Sequence, residues 1–245
     1  MIEKARQLRV FDFVEKIRAV EGDYSAIIAA TIDELKWYGL DYLTCTELPD
    51  LGQTGQELIL ANTRPMDYLR NYFEQGHVLR DPVVTELKRT STPFTWNQVR
   101  ERRNLSKREK NIIDEGQCFG FNNGMIIPVI SETGSIAIFS PCGWDPDLSP
   151  DSALALDVVG TFATQALRRC RRRKQRPNDY NPLTFREREI LQFVASGKTD
   201  DDIADILTIS SNTVCTHVQN IKRKLSASNR TYAVYRAIQL GEINF

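Results

Sequence analysis

A break in the chain after residue 176 divides this sequence into two parts with different patterns. Seven of the nine residues over 168–176 are cationic, and the segment 177–182 that follows is rich in proline, asparagine and aspartate. Proline lacks the backbone N–H that a helix needs, and all three residue types favour turns. The break predicts two domains, residues 1–174 and 183–245, joined by a linker at 175–182. The basic run itself fits either a solvated helix end or a phosphate contact.

Periodicity and capping residues predict four short helices in the C-terminal part. Thr184 and Glu187 form a capping-box pair in front of one apolar face, and Thr199 precedes a second. In the third helix the apolar residues step by four, three and four positions, which places them in one buried stripe: Val214, Val218, Ile221 and Leu225. The fourth helix is predicted over 230–240.

The opposite face of the third helix is polar, ends in cations and contains no carboxylate. Its members are Asn212, Cys215, Thr216, Gln219, Lys222 and Arg223. Two short helices joined by a tight turn, the second with such a face, are typical of a DNA-binding helix-turn-helix. An ordinary helical bundle has the same periodicity, so periodicity alone leaves both interpretations open.

Specific motifs favour the helix-turn-helix. They are Leu183-Thr184-x-Arg186-Glu187, Ala195-x-Gly197-Lys198-Thr199, Ile209-Ser210-x-x-Thr213-Val214-x-x-His217 and Asn220-Ile221-x-x-Lys224-Leu225. Together they resemble the LuxR-type DNA-binding domain over nearly all of 183–241. The resemblance implies that the third helix enters the major groove and that Cys215, Thr216 and Gln219 read base edges. The implied phosphate contacts are Lys198, Thr199, Thr213, Lys222 and Lys224, and Asn212 belongs to the same DNA-binding set.

The N-terminal part mixes short helices with short strands. Helices are predicted over 1–20, 23–38, 66–73, 82–88, 106–118 and 150–174, and strands over 40–45, 57–62, 123–129 and 135–140. The last two strands are predicted to form a hairpin around Glu132-Thr133-Gly134. The predicted fold class is α+β: an α/β/α sandwich with an antiparallel sheet, followed by an all-α, four-helix helix-turn-helix domain.

Aromatic residues concentrate near one carboxylate in the segment 67–96. This segment contains Tyr68, Tyr72, Phe73, Asp81, Phe94 and Trp96. Aromatic walls with few polar groups suit a small amphiphilic ligand, although the same composition is common in an ordinary hydrophobic core.

These residues are also similar to a known domain, the autoinducer-binding domain of LuxR-type quorum-sensing regulators, over about 20–170. The resemblance implies an enclosed N-acyl or aryl homoserine lactone whose amide N–H is accepted by Asp81. Tyr72 would contact a ligand carbonyl, Ser140 would be a second donor, and Trp96 would cover the lactone ring. The other implied ligand-binding residues are Tyr68 as a phenol donor, Pro82 in the turn after Asp81, and Gly124, which would leave room beside the ring.

Two positions depart from the family pattern. Tyr68 stands where most relatives have a tryptophan, and Arg64 stands where tyrosine is common. A phenol donates a hydrogen bond from a different position than an indole does, and it adds an acceptor. The sequence therefore leaves open a LuxR-type regulator that responds to a non-lactone or host-derived ligand, or to none.

Overall charge gives no information about a nucleic-acid partner. The formal net charge is zero, yet residues 1–167 contain 17 basic and 24 acidic side chains, and the seven cations of 168–176 offset this acidic excess. We expect a homodimer that binds double-stranded DNA at a two-fold-symmetric promoter site and a small-molecule autoinducer.

Other functional classes are not expected. Five scattered cysteines and two histidines have no metal-ligand spacing, so neither a metal nor a cofactor is predicted. A lactone hydrolase would need a nucleophile motif such as GxSxG, which does not occur. The chain has no 18-residue apolar stretch, so we expect no membrane partner and a cytoplasmic location.

Overall fold

The computed structural model describes residues 2–48, 58–102, 104–131, 135–175 and 181–243. The chain divides into two compact units, Met1–Cys170 and Arg171–Phe245. The predicted linker lies mostly outside the described residues, and its bounds stay a prediction. Among the described residues, no helix has both the length and the apolar character that a membrane span needs.

A five-stranded antiparallel sheet forms the centre of the N-terminal unit. Its strands are β1 (Tyr42–Glu47), β2 (Ile59–Asn62), β3 (Phe94–Thr95), β4 (Asn123–Ile130) and β5 (Ile136–Gly143), in the order β2-β1-β5-β4-β3. The predicted pairing of the last two strands is confirmed; the three residues predicted for their turn lie outside the described residues.

Helices cover both faces of this sheet. They are α1 (Ile2–Ala19), α2 (Tyr24–Lys36), α3 (Met66–Glu74), α4 (Pro82–Leu87), α5 (Trp96–Arg102), α6 (Lys107–Asp114) and α7 (Pro150–Gln175), with 3₁₀ turns at His77–Leu79 and Glu115–Phe119. Neighbouring strand residues point to opposite faces. Ile127 packs into the core shared with α1, α2 and α7, whereas Ile126 packs with α3–α6. The predicted α/β/α sandwich is therefore confirmed.

The basic run predicted near the domain boundary begins inside the N-terminal unit. Arg168 is 6% exposed, and its Nε and Nη2 donate to the two carboxylate oxygens of Glu47 at 3.0 and 2.9 Å. The Nε of Arg169 lies 2.8 Å from Oε1 of Glu21. These two ion pairs therefore connect α7 to β1 and to the segment after α1.

Gly143 permits a very close approach between β5 and the segment before β1. A Cβ at this position would lie 2.0 Å from the backbone oxygen of Gly39. Because a backbone oxygen cannot rotate away, we expect Gly143→Ala to lower the free energy of unfolding by about 2 kcal/mol. Denaturation followed by tryptophan fluorescence reports on this unit, since all three tryptophans lie within it. An unchanged unfolding midpoint would contradict the expectation.

Residues 181–243 of the C-terminal unit contain four helices, as predicted. They are α8 (Phe185–Ala195), α9 (Asp200–Leu207), α10 (Ser211–Lys224) and α11 (Arg230–Leu240). Thr184 and Thr199 cap α8 and α9 in complete capping boxes, and Ser210 caps α10. The predicted stripe on α10 is buried in the core of this unit.

Candidate functional site: an apolar cavity and an exposed helix face

A cavity of about 460 Å³ lies between one face of the sheet and the layer formed by α3–α6. Its walls are largely apolar and include Leu69, Val84, Leu87, Ile112, Ile113 and Ile126. A volume of this size suits a small-molecule ligand, and apolar walls with few polar groups suit an amphiphilic one.

Asp81 lines the cavity at the start of α4. Its Oδ1 accepts a hydrogen bond from the backbone N–H of Val83 at 2.7 Å, and its Oδ2 accepts one from the hydroxyl of Tyr72 at 2.6 Å. Pro82 occupies the first helical position, where its missing N–H costs nothing. Burial raises the pKa of Asp81, and the bonds from Tyr72 and Val83 oppose that rise. The carboxylate is thus held in one orientation at the cavity wall.

Tyr68 and Trp96 lie on the cavity wall next to a buried aromatic cluster. The ring of Tyr68 packs edge-to-face on Phe121 with 4.9 Å between centroids, and burial raises the pKa of Tyr68 to about 12. Trp96 is 6% exposed, and its indole N–H has no hydrogen-bond partner among the described residues. An unsatisfied buried donor is costly in a protein interior, so a ligand acceptor would stabilise it.

Arg64 extends into the same cavity. Its Nη2 donates to the hydroxyl of Ser140 at 2.8 Å and to the backbone oxygen of Ser140 at 3.0 Å. The guanidinium carbon lies 5.5 Å from the ring centroids of Trp96 and Phe121 and 5.9 Å from that of Tyr68. The cavity therefore holds both a cation and a carboxylate. Arg64 was identified from the sequence only as a departure from the family pattern.

Gly124 does not have the role that the sequence suggested, which was to leave room beside the ligand ring. A Cβ at Gly124 would lie 2.6 Å from the backbone oxygen of Pro141 and 3.1 Å from the indole of Trp96. The space beside Gly124 is therefore filled by the neighbouring strand and by Trp96, and is not free for a ligand. The glycine instead lets Trp96 pack closely on β4.

The exposed face of α10 is the second candidate site. Asn212, Thr213, Cys215, Thr216 and Gln219 are all exposed, with Lys222 partly so in the last turn. Two hydroxyls on this face are already bonded within the unit. Thr216 donates to the backbone oxygen of Asn212 at 2.8 Å, and Thr213 is bonded to the hydroxyl of Ser210 at 2.8 Å.

The other residues predicted to contact phosphate differ in how exposed they are to a DNA partner. Lys198 and Thr199 are exposed just before α9, although the hydroxyl of Thr199 donates to Asp202 at 2.7 Å. The side chain of Lys224 is only 14% exposed, and its Nζ lies 2.7 Å from Oε2 of Glu187. The prediction that Lys224 contacts phosphate is therefore corrected: its charge is used in an ion pair inside the unit.

Comparison with known proteins identifies the family. The model of the autoinducer binding domain matches residues 24–169, and that of the bacterial regulatory proteins of the luxR family matches residues 181–237. The chain belongs to the LuxR family. It is therefore a transcriptional regulator with a DNA-binding helix-turn-helix and an autoinducer-binding domain, not an enzyme.

Individual LuxR-family relatives align over most of this chain. The HTH-type quorum sensing-dependent transcriptional regulator RpaR of Rhodopseudomonas palustris is 35% identical over 235 residues, which cover 96% of this chain and 95% of RpaR. The transcriptional activator protein LuxR of Aliivibrio fischeri is 28% identical over 191 residues, 77% of this chain and 76% of that protein. The crystal structure of Escherichia coli SdiA has the same fold, with a TM-score of 0.69 at 19% identity over 96% of this chain and 99% of SdiA.

Proposed function

We propose that this LuxR-family regulator binds an N-acyl or aryl homoserine lactone in the cavity of its N-terminal unit. The observation that carries the proposal is the convergence of Asp81, Tyr72, Trp96 and Ser140 on one cavity with largely apolar walls. Asp81 would accept the amide N–H of the ligand, and the indole N–H of Trp96, which has no partner among the described residues, would donate to a ligand carbonyl. The apolar walls would surround the acyl or aryl group.

Titration with a panel of acyl and aryl homoserine lactones tests this assignment. A ligand that binds only the native state raises the unfolding temperature, and the rise grows with the logarithm of ligand concentration relative to the dissociation constant. At least one member of the panel is expected to raise the unfolding temperature of the purified full-length protein. If no member does so, the lactone assignment is wrong.

A second candidate is a regulator with the same architecture that responds to a ligand other than a lactone. The specific observation in its favour is Arg64, which places a cation among the polar groups of the cavity. A neutral lactone ring has no group of opposite charge for that cation.

On the DNA side, we propose that the protein controls promoters as a homodimer on a two-fold-symmetric site. Two copies of α10 would enter successive major grooves about 34 Å apart. The ligand would have to bind the DNA-competent state more tightly than the other state, because equal affinity shifts no equilibrium. Sedimentation of the protein on a palindromic DNA fragment, with and without ligand, measures how many protomers bind each fragment. One protomer per fragment would contradict the dimer.

Substitutions at Gln219 and Lys222 distinguish base contacts from phosphate contacts on α10. A glutamine side chain can form two hydrogen bonds with adenine, whereas a lysine in the last turn suits phosphate. We expect Gln219→Ala to relax the preference for one base pair with a loss of about 1–3 kcal/mol at that position. We expect Lys222→Met to weaken binding to all sequences and to reduce the salt slope by about one. Selection from randomised DNA measures the base preference, and titrations at several salt concentrations measure the salt slope. Equal effects of the two variants on base preference would contradict these roles.

A further inference from the structure

The guanidinium of Arg64 lies at the cavity, and no acidic side chain in the described part of the chain forms an ion pair with it. Among the described residues, no carboxylate oxygen comes within ion-pair distance of it. Asp81 lines the same cavity, but its two oxygens accept hydrogen bonds from Val83 and Tyr72. Removing a cation from water without a paired anion is unfavourable, so the cavity favours an occupant that supplies negative charge next to Arg64.

Two buried N–H donors at this end have no acceptor in the described part of the protein. They are the Nε of Arg64 and the Nε1 of Trp96. The rings and the cation are held together, since the guanidinium carbon is 5.5 Å from the centroid of Trp96. Because Nη2 of Arg64 already donates twice to Ser140, Nε of Arg64 and Nε1 of Trp96 are the two buried donors left, one for each oxygen of a carboxylate, which has about four acceptor positions. The donors therefore match a carboxylate better than a single ring carbonyl.

Asp81, in the same cavity, needs a hydrogen-bond donor from the ligand, whereas Arg64 and Trp96 need an acceptor. A carboxylate accepts and does not donate, so the group that meets it must be a donor such as an amide N–H. An occupant that satisfies both Asp81 and Arg64 has an N–H, a carboxylate and an apolar chain that packs beside Val84, Leu87 and Ile113. A closed lactone has the N–H and the chain, but it lacks the carboxylate.

We propose that the cavity selects N-acyl amino acids with a free carboxylate, such as ring-opened N-acyl homoserine, over the corresponding lactones. Arg64 and Trp96 bind the carboxylate, and Asp81 accepts the amide N–H. The inference rests on the proposed function, since it takes the same cavity as the ligand site and the same acyl group as its apolar occupant.

Matched pairs of ligands test this preference on the native full-length protein. Each pair is one N-acyl homoserine lactone and its ring-opened acid, with acyl groups from butanoyl to dodecanoyl and with cinnamoyl, titrated calorimetrically at mildly acidic pH so that the lactone stays closed. For the acyl group that binds best, the acid is expected to bind at least about tenfold more tightly, as a charge-assisted hydrogen bond provides. If the lactone binds as tightly as the acid, the inference is overturned and the proposed function stands. If neither member of any pair binds, the proposed function fails as well.

Variants at position 64 assign the preference to the arginine. Arg64→Met is expected to lose about tenfold or more of the affinity for the acid while changing lactone affinity less than about threefold. Arg70→Met is the matched control, because Arg70 lies on the adjacent helix α3 with 66% of its side chain exposed. If Arg64→Met unfolds, Arg64→Gln keeps a donor for Ser140 without the charge and is expected to lose the same preference for the acid. Equal losses for the acid and the lactone in the folded variant would contradict a charge-specific role.

Discussion

An Asp81→Asn protein is expected to bind its ligand at least about 100-fold more weakly than the native protein and to lose its ligand response. Asp81 already accepts hydrogen bonds from Tyr72 and Val83, and a ligand N–H would share the same carboxylate. Asparagine replaces one carboxylate oxygen with an NH₂ group, so a donor of the protein would face the N–H donor of the ligand. The loss combines a charge-assisted hydrogen bond, about 1.5–3 kcal/mol, with an unpaired buried donor.

The fold is expected to survive this substitution. Asparagine is as good an N-cap as aspartate, so its side-chain oxygen can still accept from Val83 and start α4. Asp67→Asn is the matched control, because Asp67 lies at the start of α3 with 80% of its side chain exposed. Calorimetric titration of both variants measures the affinity, and DNA binding with and without ligand measures the response. An Asp81→Asn protein with native ligand sensitivity would remove Asp81 from the proposed site.

Local sequence signals predicted most elements of this fold, although β3 and α5 were not predicted. Helix α10 is an example: the spacing of Val214, Val218, Ile221 and Leu225 places all four on one side of a helix, and those residues are buried in the C-terminal unit. The capping box of α8 depends on residues only three positions apart, and it too is present. Such patterns are local, so neighbouring residues contain the information that they need.

The environment of single side chains required the tertiary structure. Lys224 looks like another cation at the end of a DNA-binding helix, and its partner Glu187 is 37 positions away on α8. Gly124 was predicted to leave room for a ligand, but the positions of Trp96 and Pro141 decide what fills that room. Arg64 follows β2 in sequence, and only the pairing of β1 with both β2 and β5 brings it to Ser140. These contacts depend on strand order and helix packing, which a single sequence does not state.

Lys224→Met is expected to destabilise the C-terminal unit by about 3 kcal/mol, because it leaves the carboxylate of Glu187 buried without its cation. The side chain of Glu187 is 5% exposed, and Lys224 Nζ lies 2.7 Å from its Oε2. Burial favours the neutral form of Glu187, but hydrogen bonds from Lys224 and Thr184 outweigh it and lower the pKa of Glu187. A lowered carboxyl pKa stabilises the folded state at neutral pH, and this contribution is lost as the pH falls through that pKa. The variant should therefore show a weaker loss of stability on acidification.

Lys222→Met is the matched control, since Lys222 lies two positions earlier on α10 and has no ion pair among the described residues. Hydrogen-exchange mass spectrometry on peptides from α8 and α10 measures the stability of this unit separately. Lys224→Met should lose protection there, whereas Lys222→Met should keep protection and lose DNA affinity. A second substitution, Glu187→Gln, removes the unpaired charge and should restore part of the stability of Lys224→Met. If Lys224→Met instead weakens DNA binding with native protection, Lys224 contacts phosphate after all, because a side chain needed for the fold could not be removed without loosening α8 and α10.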